Sequence, residues 1–253
     1  MIAIWSEVRN AWLALGLVPR AALVAWVLAT VSLPVVRWVW GDRAIRWGVS
    51  LGVVLQAAAV FATLWSVWGG RQAALVGLAI VGMGWAVEYI GSTTGFPFGR
   101  YHYTDRLKPQ LGHVPLVIPL AWLMMLPPAW AVAGQIAPGS PVLFVICSAL
   151  AFTAWDLYLD PQMVGWRLWV WERPSGYFGI PWVNFGGWAL AAATMTVAIQ
   201  PEPGDIAPLW LVYGLTWLLE SVGLGVIWKQ PGPALCGFLG MGSMLLWAWL
   251  AGH

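Results

Sequence analysis

Four carboxylates stand where carboxylates are costly. Glu88, Asp156, Asp160 and Glu220 lie within or at the ends of long apolar runs. An ionisable side chain inside a membrane span costs about 2.5–3.5 kcal/mol on insertion scales, so each is a candidate for chemistry. A carboxyl shielded from water can give or take a proton at a reacting atom. Asp156 and Asp160 are four residues apart, which sets them on one helix face, about 6 Å apart along the axis. Blander readings stand beside this one: Asp160, just before Pro161, would also simply end a helix, and Asp156 would also serve as a hydrogen-bonded core acid. Trp85-x-x-Glu88-x-x-Gly91 recurs as Trp217-x-x-Glu220-x-x-Gly223. A duplicated half would give such a repeat, but three matched positions in a Trp- and Gly-rich chain do not separate ancestry from coincidence.

Two ring-rich loops accompany the acids. Residues 95–104 read GFPFGRYHYT, supplying Phe96, Phe98, Arg100, Tyr101, His102 and Tyr103. Residues 160–188 read DPQMVGWRLWVWERPSGYFGIPWVNFGGW and add Tyr177, Trp182 and Asn184. The glycines and prolines of the second loop call for a tightly turned backbone. An aromatic belt at headgroup level accounts for many of the 22 tryptophans. It accounts less well for rings interleaved with Glu172, Arg173 and Asn184. His102, Asp105 and His113 have no standard metal-ligand spacing.

The elements that position these residues must cross a bilayer. Of 253 residues, 60% are hydrophobic and 9% charged, and the mean hydropathy is +0.76. A soluble fold would have too little polar surface to cover itself. A net charge of +2 offers nothing to nucleic acid, so no nucleic-acid partner is expected. Cys147 and Cys236 sit in apolar runs with no CxxC, as buried small hydrophobes do. No cleavable signal peptide is evident in the first ~20 residues.

The expected fold is therefore all-α, one polytopic helical bundle over residues 1–253. Spans of about 20 apolar residues fall near 21–39, 48–68, 73–92, 115–133, 141–160, 185–200, 207–227 and 234–251. That gives about eight transmembrane helices. Pro119, Pro127 and Pro128 should kink or break the fourth, and the sixth is short and glycine-led, so seven spans with one re-entrant segment is the variant reading. Basic residues set orientation. One side collects Arg37, Arg43, Arg46, Arg100, Arg106, Lys108, Arg167, Arg173 and Lys229, the other Arg9, Arg20 and Arg71. The loop at 201–206, with Glu202 and Asp205, belongs to the second side. The expectation is a multi-pass protein of the cell (inner) membrane, with both ring-rich loops cytoplasmic and both termini outside.

Glu88 with TTGFPFGRYHYT, then LGHVPLVIPLAW, AWDLYLDP and GYFGIPWVNFGGW, resembles the carotenoid biosynthesis family of CruF-type 1',2'-hydratases, which includes the bisanhydrobacterioruberin hydratases. The likeness is dense over residues 85–190. It implies hydration of a terminal isoprenoid double bond in an acyclic or monocyclic carotenoid of lycopene, γ-carotene or C50 type, giving a tertiary alcohol. It also implies a carotenoid substrate, a lipid bilayer around the chain, and other carotenoid biosynthesis enzymes as neighbours. It assigns no residue roles.

Residue chemistry agrees with that reaction. An unactivated alkene needs a strong proton donor, and protonation at the less substituted carbon leaves a tertiary cation that water attacks. Tryptophan and tyrosine faces stabilise a desolvated cation by about 2 kcal/mol each. No metal or organic cofactor is required. On this reading Glu88, Asp156, Asp160 and Glu220 supply donor and base, with Glu88 and Asp156 ranked first, and the rings, Arg100, His102 and Asn184 line the substrate site. Two other classes remain open. Asp156-x-x-x-Asp160 would suit a Mg²⁺-dependent membrane prenyltransferase, although a second Asp-rich motif is missing. A proton-coupled transporter would also place acids in its spans.

Overall fold

A computed structural model describes residues 2–203 and 206–252, with side chains from residue 5 onward; Asp205 lies outside the described residues. Eight α-helices carry the fold: α1 (Ile2–Ala14), α2 (Leu17–Trp40), α3 (Arg43–Thr94), α4 (Val117–Ile136), α5 (Pro141–Gly165), α6 (Trp182–Ile199), α7 (Trp210–Val222) and α8 (Pro231–Ala251). A 3-10 turn, Ala207–Leu209, precedes α7, and a π turn, Gly223–Ile227, follows it. Seven of these segments are long and apolar enough to cross a membrane.

One of the seven crosses twice. α3 has 52 residues, about 78 Å if straight at 1.5 Å per residue, against a hydrocarbon core of about 30 Å. Gly69 takes φ 76° and ψ 161°, outside the helical region. A Cβ on Gly77 would lie 3.1 Å from the Phe61 ring. Those residues flank Gly69 symmetrically, so the two limbs of α3 fold back on each other. Glycine supplies the left-handed φ that this reversal needs. Counting the two limbs of α3 separately, the described residues hold eight helical segments long enough to cross.

The prolines of α4 do not break it. Pro119 falls in the first turn, where its missing N–H has no intrahelical partner anyway. Pro127 and Pro128 lie inside the helix, and packing on all sides holds it: 78% of its apolar window is buried, the largest share of any crossing segment. The sixth span begins three residues before the sequence suggests, at Trp182, and its 18 residues are long and apolar enough to cross a membrane. Helix α5 likewise runs past Pro161 to Gly165, so Asp160 does not end a helix. Proline cannot donate to the Leu157 carbonyl four residues back; the Tyr177 hydroxyl does so instead, at 2.9 Å.

The two ring-rich loops meet in a short antiparallel ladder. Strand β1 (Tyr101–Tyr103) pairs with β4 (Trp169–Trp171), with Tyr101 opposite Trp171 and Tyr103 opposite Trp169. A second, smaller ladder joins β2 (Gln110–Leu111) to β3 (Val114–Pro115). The first loop presses onto α6 at Gly187, where any Cβ would meet the Pro97 carbonyl oxygen at 2.7 Å. Only glycine allows that approach.

Candidate active site

At the loop-bearing end the helices enclose a cavity of about 260 Å³. Its polar wall takes Glu88 from the second limb of α3, Asp160 and Gln162 from α5, Asn184 from α6, Glu220 from α7, and Tyr101 and Tyr103 from β1. With the π turn counted as part of the α7 segment, Glu88, Asp160 and Glu220 sit five to seven residues from the loop-side ends of their helical segments. Parallel helices therefore bring them to one depth.

Glu88 is buried and fully furnished with donors. Its Oε2 accepts from the Tyr101 hydroxyl and, at 2.7 Å, from the Tyr103 hydroxyl; its Oε1 accepts from the Trp122 indole at 3.1 Å. Strand alternation explains the pair of tyrosines, since residues two apart share a face. Tyr101 and Tyr103 turn inward while His102, between them, is exposed. Burial first, and then the neighbouring Glu88 charge, raise both tyrosine hydroxyls well above the ordinary phenol range. They therefore stay protonated donors at neutral pH.

Asp156 and Asp160 share one amide. The Asn184 side chain donates to Asp156 Oδ2 at 2.8 Å and to Asp160 Oδ2 at 2.5 Å. Asp160 Oδ1 also accepts from the Trp169 indole at 3.0 Å, and strand alternation on β4 puts Trp171 on the same inward face. Asp156 Oδ1 is buried and accepts from no N–H or hydroxyl group among the described residues, and the Asp156 and Asp160 carboxyls lie within hydrogen-bond reach of each other. Asp160 faces the cavity; Asp156 lies behind it, away from the lining.

The apolar wall is aromatic. Trp122 stacks on Trp188 at 5.0 Å and on Phe152 at 4.7 Å, and Trp155 meets Trp188 edge-on at 5.9 Å. Phe98 closes against Trp188 at 6.3 Å. Deeper in the bundle, Gln56 donates to Thr216 Oγ1 at 3.1 Å, and both line the cavity.

The residues singled out from the sequence divide accordingly. Glu88, Asp160, Glu220, Phe98, Tyr101, Tyr103 and Asn184 meet in the cavity. Tyr177 is buried but faces α5, holding the Leu157 carbonyl. Phe96 and Trp182 are each 66% exposed, and Arg100 and His102 are exposed as well; none of the four lines the cavity. Trp122 and Gln56 escaped the sequence reading. Trp122 ends the stretch LGHVPLVIPLAW, where a search for acids and loops passes over it. Gln56 is an amide alone in an apolar span, a signal as readable as a lone acid.

These positions can be set beside known proteins. Residues 48–209, well over half of the chain, match the family described as "Carotenoid biosynthesis protein". Bisanhydrobacterioruberin hydratase of Haloarcula japonica is 30% identical over 128 residues, 49% of this chain and 43% of that protein. The chain thus matches less than half the length of that relative. No solved structure gives a significant match. The matched stretch runs from the first limb of α3 to the 3-10 turn before α7 and contains Glu88, Asp160, Asn184 and the paired loops, and on this match the chain belongs to the carotenoid biosynthesis protein family.

Proposed function

We propose that this chain is a carotenoid hydratase that adds water across a terminal isoprenoid double bond of an acyclic or monocyclic carotenoid. The observation that carries the reading is the convergence of Glu88 and Asp160 on one aromatic-walled cavity at membrane depth. The name of the Haloarcula japonica relative points the same way. A pocket enclosing a whole drug-sized ligand runs to about 300–1,000 Å³. A cavity of about 260 Å³ suits the end of a long chain instead.

The roles follow from the hydrogen bonds. Asp160 gives its carboxyl proton to the less substituted alkene carbon, and the π pair forms the new C–H bond. The tertiary cation left behind faces the rings of Trp122, Trp155 and Trp188, which stabilise positive charge across their faces. Water adds its oxygen to the cation. Glu88, held by three donors in one orientation, takes the proton that the water releases. Proton return from Glu88 to the Asp156–Asp160 pair through cavity water restores the site, so the net change is one water added.

The Asp pair is a poorer fit to a prenyltransferase. Three of its four oxygens accept from Asn184 or Trp169, which leaves only Asp156 Oδ1 for a Mg²⁺ ion that takes several oxygen ligands. Hydratase chemistry on lipid-borne substrate with cytoplasmic water also fits the orientation read from basic residues: paired loops in the cytoplasm, termini outside, in the cell membrane beside other carotenoid-forming enzymes. Expression in hosts making lycopene or γ-carotene tests the reading. A pigment heavier by one water supports it, with activity surviving chelators. Unchanged pigment across several acyclic-ended carotenoids rejects it.

A further inference from the structure

The cavity is not sealed on all sides. Its lining also includes Val31 and Pro34 of α2, Gly52 of the first limb of α3, and Val222 and Ile227 at the foot of α7. Val31, Val222 and Ile227 are 59%, 48% and 43% exposed, so the same side chains line the cavity and face outward. Outward here means lipid. Val31 lies nine residues before the end of α2 at Trp40, about 14 Å along the axis, within a hydrocarbon core about 30 Å thick.

The loop-side foot of this slot is closed. The Arg37 guanidinium lies 5.3 Å from the centroid of the Trp228 ring, and Trp166 stands edge-on to Trp228 at 5.0 Å. The slot therefore opens to lipid above a cation–π clasp. Backbone irregularities gather at its edges. Pro34 has no N–H for the Thr30 carbonyl, so α2 lacks a rung there. Helix α7 gives way to the π turn Gly223–Ile227, a form often found at functional positions. Beyond its chain neighbours and its own turn of helix backbone, no heavy atom lies within 4 Å of where a Gly52 Cβ would stand.

We propose that the slot between α2, the first limb of α3 and α7 is a lateral portal by which the end of a long apolar chain passes from the bilayer into the cavity, with Gly52 keeping it open. The identity of that chain as a polyene rests on the hydratase reading. The portal follows from volume and exposure: a cavity of about 260 Å³ holds only a chain end, so the remainder must leave through an apolar opening.

Two measurements on the full chain in membranes test the portal. Gly52→Trp fills the slot, and Gly82→Trp is its control, since Gly82 also has open space around its Cβ but lies outside the cavity lining. One methylene of misfit in an apolar pocket is worth about 10- to 200-fold; hydration by Gly52→Trp should fall at least that far, while Gly82→Trp matches the parent. Gel filtration in detergent checks that both fold, and Gly52→Leu replaces Gly52→Trp if the latter does not. The second measurement is independent of turnover. The Gly52→Cys thiol should react with a membrane-permeant maleimide in lycopene-free vesicles and be protected in lycopene-loaded ones, with the parent chain correcting for Cys147 and Cys236. Parent-like hydration by folded Gly52→Trp, or labelling unchanged by lycopene, overturns the portal. A parent chain that hydrates no polyene removes the hydratase reading instead, and protection of the Gly52→Cys thiol then decides the portal alone.

Discussion

The two copies of Trp-x-x-Glu-x-x-Gly differ in what surrounds them. Their tryptophans behave alike. Trp85 donates its indole N–H to the Leu111 carbonyl at 3.1 Å and stacks on Tyr89 at 5.2 Å; Trp217 donates to the Phe238 carbonyl at 2.9 Å and stacks on Phe238 at 4.9 Å. The glutamates do not. Glu88 is enclosed by Tyr101, Tyr103 and Trp122, whereas Glu220 is half-buried and interacts with the Gln162 side chain. The glycines differ too. A Cβ on Gly91 would lie 2.6 Å from Phe98, so that glycine lets the first loop dock. Gly223 opens the π turn and meets nothing closer than Trp228 at 3.6 Å. A three-residue pattern brings an acid to a given depth; the loop folded over it determines whether that acid is furnished with hydrogen-bond donors.

The sharpest way to break this contrast is to neutralise each acid. Glu88→Gln and Asp160→Asn keep size and one accepting oxygen while removing the exchangeable carboxyl proton. Each should lower the hydration rate at least ~100-fold with normal expression, the lower end of a general acid–base contribution. Next come the donors around Glu88. Hydrogen bonds to charged groups are worth about 1.5–3 kcal/mol, so Tyr101→Phe and Tyr103→Phe should each lose about 10- to 100-fold, measured as initial rates in vesicles. Glu220→Gln should stay within about tenfold of the parent, below any general-acid effect. A larger loss there than at Glu88 would invert the comparison.

Two smaller effects separate structure from chemistry. Tyr177→Phe leaves the Leu157 carbonyl without its donor. It should destabilise the fold by about 1–3 kcal/mol, read by thermal unfolding in detergent, while activity per folded molecule is retained. His102→Ala, at an exposed position, should shift stability by no more than about 0.5 kcal/mol and leave hydration unaltered. A large catalytic loss at His102 would mean that the loop rearranges over the substrate.

Much of this was readable in the chain itself. Lipid-facing composition, eight crossings and acids at one depth follow from hydropathy and the spacing of carboxylates. Tyr101, His102 and Tyr103 read together in the sequence as lining the substrate site, because the strand pairing that turns the two tyrosines inward and His102 outward is made by a partner 68 residues on. Rotational choices were not readable. Asp156 and Asp160 share a helix face, and Asp156 ranks first in the sequence because, one turn deeper, it should be better shielded and easier to keep protonated. It is Asn184, from a helix 28 residues on from Asp156, that spans both acids and leaves Asp160 at the surface of the cavity. Tyr177 looked like a substrate ring because nothing local reveals that Pro161 frees a carbonyl beside it. Pro127 and Pro128 suggested a break because their lost hydrogen bonds are local, whereas the burial that holds α4 together comes from its neighbours.

Protonation of carbon followed by capture of water at this cavity is the step on which the proposed hydration turns. The most direct test is to supply the purified chain, in vesicles loaded with its polyene, with water labelled in both hydrogen and oxygen. The product should carry one labelled oxygen on the tertiary carbon and one non-exchangeable deuterium on the adjacent carbon, and folded Asp160→Asn should give neither above background. An alcohol whose oxygen does not come from water, or that lacks carbon-bound deuterium, would contradict the account.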